Sequence, residues 1–278
     1  MPSTGEEIAE LEKKAESIRE TIIRMLVAAG SGHTAGPLGM ADIFAAFYFS
    51  ILTHDPKNPQ WEKRDRLILS NGHICPVLYA ALAHAGYFPV EECLTLRKFG
   101  SRLQGHPERF RLEGIETTSG PLGEGLSQAG GIAYALRTDG KGNRVYCVIS
   151  DGEQDEGSTW EAVMFIGKNR LAGLTAIMDR NGIQIDGTTE DVMPLEPLAD
   201  KYRAFNWNVI EVDGNNIPAF IASVEEAKAV HEKPTLIIAH TIPGKGVPEI
   251  ENDYHWHGKA PTAEEGERFI KEIRHAQS

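Results

Sequence analysis

The sequence predicts an α/β fold, a parallel sheet with helices on both faces. Short, apolar, β-branched-rich runs recur at 66–70 (RLILS), 145–150 (VYCVIS), 174–179 (LTAIMD), 207–213 (WNVIEVD) and 235–240 (TLIIAH). They are nearly continuous in apolar character rather than alternating, as strands covered on both faces must be. Helical stretches separate them, at 76–85, 91–98, 126–137, 158–169 and 216–231, and alternation of strand and helix is the signature of parallel strands joined by crossovers. No repeat, low-complexity tract or long linker interrupts the pattern, so residues 1–278 read as a single domain.

The chain opens with a helix. Thr4 and Glu7 have capping-box spacing, as do Ser3 and Glu6. Ile8, Leu11, Ala15, Ile18, Ile22 and Met25 then recur at steps of three and four, forming one apolar face. Gly30-Ser31-Gly32 ends the run. A second amphipathic run, Ile43-Phe44, Phe47-Tyr48 and Ile51-Leu52, reads as a core helix, and 262–275 as a short charged terminal helix.

Composition narrows the function. The 278 residues carry 28 basic and 40 acidic side chains, a net charge of −12. That excludes nonspecific attraction to nucleic acid or anionic membrane, since both rely on positive potential. It also means that an anionic ligand needs a metal or local cations to offset the field. Three cysteines, Cys75, Cys93 and Cys147, cannot all pair with one another, and Cys147 within VYCVI reads as a buried, inert thiol. With a charged N-terminus and no run of membrane-spanning length, a soluble protein of the reducing cytoplasm is expected.

In open α/β sheets, ligands bind beyond the carboxyl ends of the strands. The residues at those places are Asn71-Gly72-His73, Asp151-Gly152-Glu153, Arg180-Asn181-Gly182, Asp213-Gly214-Asn215 and the segment 241–246, each combining glycine with polar or charged groups. Asp151 and Asn181 are thirty residues apart, room for one crossover helix and a strand, so their strands can be neighbours. A carboxylate, an amide oxygen and a nearby backbone carbonyl make a partial oxygen cage suited to magnesium shared with phosphate. Gly152 permits close backbone approach, and the helix that follows offers its positive N-terminal end. Asp-Gly and Asn-Gly are also ordinary turn dipeptides. His33, His73, His106 and His257 each lie near glycine in a loop, a candidate cluster for binding phosphate and moving protons near neutral pH. A zinc site is the competing reading of these residues.

The segments SDGEQDEG (150–157) and DRNGIQIDG (179–187) resemble the thiamine-diphosphate signature of transketolases. SGHTAGPLGMA, DRLILSNGH, GSRLQGHPE and TTSGPLGEG (117–125) resemble that family as well, in its order and spacing, over about residues 20 to 260. The resemblance implies the thiamine-diphosphate-binding fold and a divalent metal (Mg2+, or Ca2+ or Mn2+) on Asp151, Asn181 and the Ile183 main-chain oxygen. It implies diphosphate contacts from the Gly152 and Glu153 amides, and contacts to the diphosphate and the reacting region from His73 and His257. Gly120 and Leu122 would pack on the cofactor rings, and His33 and His106 would meet donor-sugar hydroxyls, with His33 or His257 also relaying protons. Glu156 and Glu161 match glutamates linking the sites of a family dimer, or are a solvated helix face. Ser150 and Glu124 depart from the family pattern, which usually has Gly and Gln there.

In the family, the glutamate that activates the cofactor and most substrate-phosphate arginines lie in a pyrimidine-binding domain that this sequence does not contain. The resemblance therefore implies one subunit of a split transketolase, working with a separate C-terminal chain, expected as α2β2, on sugar phosphates. The other readings are a subunit of another thiamine enzyme (1-deoxyxylulose-5-phosphate synthase or the α chain of a 2-oxoacid dehydrogenase) and a catalytically silent cofactor-binding paralogue.

Overall fold

A five-stranded parallel sheet organises the protein, whose computed structural model describes residues 4–275. The strands are β1 (Arg66–Leu69), β2 (Val145–Ser150), β3 (Leu174–Arg180), β4 (Ile183–Gln184), β5 (Gly187–Thr188), β6 (Asn208–Asp213) and β7 (Thr235–His240). The main sheet runs β1-β2-β3-β7-β6, while β4 and β5 pair as a separate antiparallel hairpin. All five expected strands form within a residue of their expected bounds. The hairpin leaves no mark in the sequence, because its two-residue strands are too short to show a period.

Side-chain alternation explains why both faces are covered. In β2, Tyr146 and Val148 join one hydrophobic cluster, whereas Val145, Cys147 and Ile149 join the other. In β7, Ile237 and Ala239 point to the first cluster and Leu236 and Ile238 to the second. An apolar residue at every position thus serves two cores. The helices are α1 (Gly5–Ala29), α2 (Ala35–Gly39), α3 (Ala41–Ala46), α4 (Cys75–His84), α5 (Gly125–Thr138), α6 (Gly157–Lys168), α7 (Thr189–Val192), α8 (Leu198–Ala204), α9 (Ile217–Ala229) and α10 (Ala263–His275). Helices α1, α3, α4, α9 and α10 supply the first cluster, and α5, α6 and α8 the second. Cys147 is buried in the second, where desolvation raises its thiol pKa well above the ordinary value.

Helix α1 begins with the Thr4–Glu7 capping box: Glu7 N donates to Thr4 Oγ1 at 3.3 Å, and Thr4 N donates to Glu7 Oε2 at 2.7 Å. Ser3, the other candidate, lies outside the described residues. Leu11, Ala15, Ile18, Ile22 and Met25 are buried as the spacing predicts. The second amphipathic run is buried but not a single helix. It divides between α3 and a π-helical turn at Phe47–Ile51, which sets Phe47 against Tyr146 at 5.1 Å and Phe220 at 5.5 Å between ring centroids. The stretch predicted helical at 91–98 is a 3₁₀ turn at Val90–Thr95. The short helices α7 and α8 are additions to the expected set.

One close approach fixes the loop before α5. A Cβ on Gly125 would clash with the Ser70 side chain and lie 2.6 Å from the Ser70 Cα, so α5 can start against the end of β1 only with glycine there. Gly125→Ala is expected to lower unfolding free energy by about 1–3 kcal/mol through overpacking. Thermal or denaturant unfolding reads this, and unchanged stability would contradict the packing constraint.

Candidate functional site

The loops after β1, β2 and β3 emerge at one edge of the sheet because the three strands are parallel neighbours. Ser150 is in register with Asp179 across the β2–β3 pair, so Asp151 and Asn181 leave the sheet side by side. Asp151 is 1% exposed. Its Oδ1 accepts from Gly152 N at 2.8 Å, and its Oδ2 accepts from Gly182 N at 2.7 Å and Arg180 Nη1 at 3.2 Å. Burial raises its pKa, opposed by the Gly182 amide and the Arg180 charge. Asn181 Oδ1 accepts from Ile183 N at 3.0 Å, and Asn181 Nδ2 donates to Asp179 Oδ2 at 2.9 Å. One lone pair of that amide oxygen is thereby used and one is left.

Three residues of this rim carry weight that sequence reasoning did not assign. Asp179 is fully buried beneath Asn181 and accepts from the Thr241 hydroxyl. Desolvation pushes its carboxyl up to about 7, with the Asp151 charge adding to the rise. Arg180 donates to Asp151, to Thr189 Oγ1 at 2.7 Å, and to Glu190 and Glu196 at 2.9 and 3.2 Å, tying the α7 segment to the site. Glu153, expected to contribute only an amide, turns its carboxylate inward. There it accepts from the Ser70 hydroxyl, from Gly123 N at 2.6 Å and from Ser150 N at 3.1 Å. Its own amide donates to Ser150 Oγ at 3.3 Å, which gives serine a role at a position where the family usually has glycine. The run of acidic residues in DGEQDE gave no sign of which side chain would turn inward.

The histidines converge from four distant loops. Ring centroids of His33, His73 and His257 lie 4.8, 5.4 and 5.3 Å apart pairwise. His106 stands beside Gly120, whose would-be Cβ meets only the His106 ring, at 3.9 Å, and His106 also acts electrostatically on His33 and His73. Desolvation depresses the pKa of all four. His33 falls to about 4, with His257, Arg97 and His106 contributing, and His73 falls well below the ordinary value. The rings are therefore neutral at pH 7. Among the described residues, no group of three or more His, Cys, Asp or Glu side chains is arranged to hold a metal ion. Leu122 is half-buried and belongs to neither core cluster. Glu156 and Glu161 are exposed at the start and on the outer face of α6.

Several polar atoms at this edge are buried without a partner: His33 Nδ1, both polar atoms of the Asn71 side chain, Ser119 Oγ and Gln184 Nε2. Buried polar groups are ordinarily satisfied, so a concentration of orphans marks a place for a polar ligand. Gly72 packs on the Ser119-Gly120 segment, its would-be Cβ 2.6 Å from Ser119 Oγ, which brings Asn71 and Ser119 together. A Cβ on Gly152 would meet only the Gln184 Cβ, at 3.7 Å, leaving the ground above the Asp151 turn open.

Two outcomes are expected. Glu153→Ala strands three donors in a buried place and should cost about 3–5 kcal/mol of stability; a loss below about 1 kcal/mol in denaturant unfolding would refute the bracing role. The depressed His33 pKa makes the unfolded chain the stronger proton binder between about 4 and 6.5. Stability held above pH 6.5 should therefore decline as pH falls toward 4, and His33→Asn should flatten that slope. Parallel melting curves for wild type and variant across this range would disprove the assignment.

Comparison with known proteins agrees with this geometry. The model of the transketolase thiamine diphosphate-binding domain matches residues 11–276. The 6-deoxy-6-sulfo-D-fructose transketolase subunit SqwG of Clostridium sp. (strain MSTE9) is 43% identical over 97% of this chain and 98% of its own length. An apulose-4-phosphate transketolase subunit of Phocaeicola vulgatus is 39% identical over 96% of this chain and 95% of its own. Rattus norvegicus transketolase is 39% identical over 95% of this chain but only 42% of its own length. The solved transketolase of Leishmania mexicana superposes with a TM-score of 0.89 at 34% identity, over 96% of this chain and 41% of that one. The chain thus spans about two fifths of the full-length transketolases it matches, and nearly all of the subunit relatives. A nearly full-length family match, together with relatives of this identity, shows that the chain belongs to the transketolase N-terminal, thiamine diphosphate-binding family.

Proposed function

We propose that this chain is the diphosphate-binding subunit of a two-chain transketolase, moving a two-carbon ketol unit from a ketose phosphate to an aldose phosphate. One observation carries the reading: three neutral, ring-to-ring histidines share a strand-end edge with the Asp151–Asn181 pair. On this reading residues 1–278 act as one diphosphate-binding domain of a cytoplasmic enzyme. Among the described residues no helix is long and apolar enough to cross a membrane.

The residues present fit thiamine diphosphate and a divalent metal. Asp151, the free lone pair of Asn181 Oδ1 and the Ile183 main-chain oxygen offer hard oxygen ligands suited to Mg2+. The Gly152 and Glu153 amides, now donating to Asp151 Oδ1 and Ser150 Oγ, would exchange those acceptors for phosphate oxygens, which also frees Asp151 for the metal. Gly120 offers bare backbone and Leu122 an apolar wedge for the rings. Bound there, the cofactor supplies the nucleophile and electron sink for breaking the bond beside the ketose carbonyl.

The chain's own part is to bind, orient and move protons. His73 and His257 would contact the diphosphate and the reacting region, and His33 and His106 the donor hydroxyls. Because desolvation keeps the His33 and His73 rings neutral, each can donate a hydrogen bond from one nitrogen and accept at the other, as proton transfer to and from sugar oxygens requires. The relatives of matching length are named as transketolase subunits, which supports a separate partner chain carrying the pyrimidine-binding domain, in an α2β2 assembly. Exposed Tyr134, Met164 and Phe165 on α5 and α6, with Glu161 and Lys168 on the same face of α6 and Arg137 over the Tyr134 ring, give that partner an apolar face edged with charges.

Co-expression with a pyrimidine-domain chain tests this. Ketol transfer from a ketose donor to an aldose acceptor should appear with thiamine diphosphate and Mg2+, and need both chains; turnover of pyruvate instead would overturn the transketolase reading. Asp151→Ala should abolish the circular-dichroism change on adding cofactor and metal, and an intact signal would refute the metal assignment.

A further inference from the structure

The loop that carries His106 also carries an arginine with no assigned part. Arg97 adopts a left-handed backbone, φ 60°, uncommon for a side-chain-bearing residue, and its amide donates to Leu103 O at 2.9 Å to close the loop. Its guanidinium lies between the segments bearing His33 and His106. A Cβ on Gly105 would sit 2.9 Å from the Arg97 Cζ, and one on Gly32 would sit 3.9 Å from its Nε. Glycine at 105 gives the cation room to lie there, while the Gly32 side is at ordinary contact distance. Its charge contributes to the depressed pKa of both His33 and His106.

What the guanidinium lacks is an acid. Its one hydrogen bond among the described residues is Nη2 to Gly105 O at 3.5 Å, and it forms no ion pair with any of them. Arg102, five residues on in the same loop, is saturated instead: it pairs with Glu92 at 2.6 Å and Glu113 at 3.0 Å. In a chain with a net charge of −12, an exposed arginine left without a carboxylate beside neutral histidines keeps its donors for something else. A planar fork of N–H donors matches a tetrahedral oxyanion, and a charge-assisted pair of this kind is about twice as strong as a neutral hydrogen bond.

We propose that Arg97 is a specificity-determining residue that receives the phosphate monoester end of a sugar substrate whose hydroxyls face His33 and His106. This rests on the transketolase reading and adds a phosphate contact supplied by this chain rather than by the partner. The test is the ratio of kcat/KM for D-xylulose 5-phosphate to that for uncharged L-erythrulose, measured with the two-chain enzyme. Arg97→Gln should lower that ratio by about tenfold, the scale of one charge-assisted hydrogen bond, and Arg97→Lys should restore part of it. An unchanged ratio, including equal losses with both donors, overturns the proposal, because a merely structural arginine would affect the two alike. Should the wild-type enzyme transfer from neither donor, the function reading fails and Arg97 is judged on equilibrium binding to the full chain. There D-xylulose 5-phosphate should shift the His33 and His106 ring-proton resonances more than D-xylulose does, and Arg97→Gln should erase that difference. Persistence of the difference in the variant sinks the assignment.

Discussion

The Glu153 carboxylate is the contact on which the rest of the site depends. It gathers donors from three separate places: the Ser70 hydroxyl at the end of β1, the Ser150 amide at the end of β2, and the Gly123 amide in the loop leading to α5. A buried carboxylate without partners would cost several kcal/mol, so its three donors are held as firmly as it is. That locks the 117–124 loop, with Gly120 and Leu122, over the edge from which Asn71, His73 and Asp151 emerge. Gly125, pressed against Ser70, completes the lock by steric means.

Around this fixed frame the protein leaves its polar groups uncommitted. His33 Nδ1, Asn71 and Ser119 Oγ are buried without partners, and desolvation keeps the histidine rings neutral. Each condition is a cost in the isolated fold, and each is removed by a polar ligand that returns hydrogen bonds to those atoms. Asp179 extends the same logic one layer down. Held by Thr241 and Asn181 in full burial, it orients the Asn181 amide so that the oxygen faces outward toward Ile183. Arg180 joins Asp151 to Thr189, Glu190 and Glu196, tying the α7 segment to the site.

The overall negative charge and the needs of an anionic ligand are reconciled locally. Most arginines here spend their charge on carboxylates, such as Arg19 on Asp42 at 2.5 Å in the first core. Beside the histidines, Arg97 is a cation without a carboxylate partner among the described residues.

Much of this was legible in the residues themselves. Both-face burial makes a strand apolar at every position, so the five strands of the main sheet could be read directly, and parallel neighbours must place Asp151 and Asn181 together. The glycine-rich motifs marked the loops that carry His33, His73, His106 and His257, because tight turns and close backbone approach need glycine. Long-range partnership was not legible. Which of the acids in DGEQDE turns inward, that Asp179 is buried near neutrality, and that Arg97 is unpaired while Arg102 is saturated depend on contacts from 10 to 83 positions away. The sequence by itself determined the sheet, the edge where its strand-end loops emerge and the residues on it, since these follow from local pattern and period. Only the tertiary structure decided the charge states and hydrogen-bond partners of those residues, because desolvation and ion pairing are properties of neighbours in space.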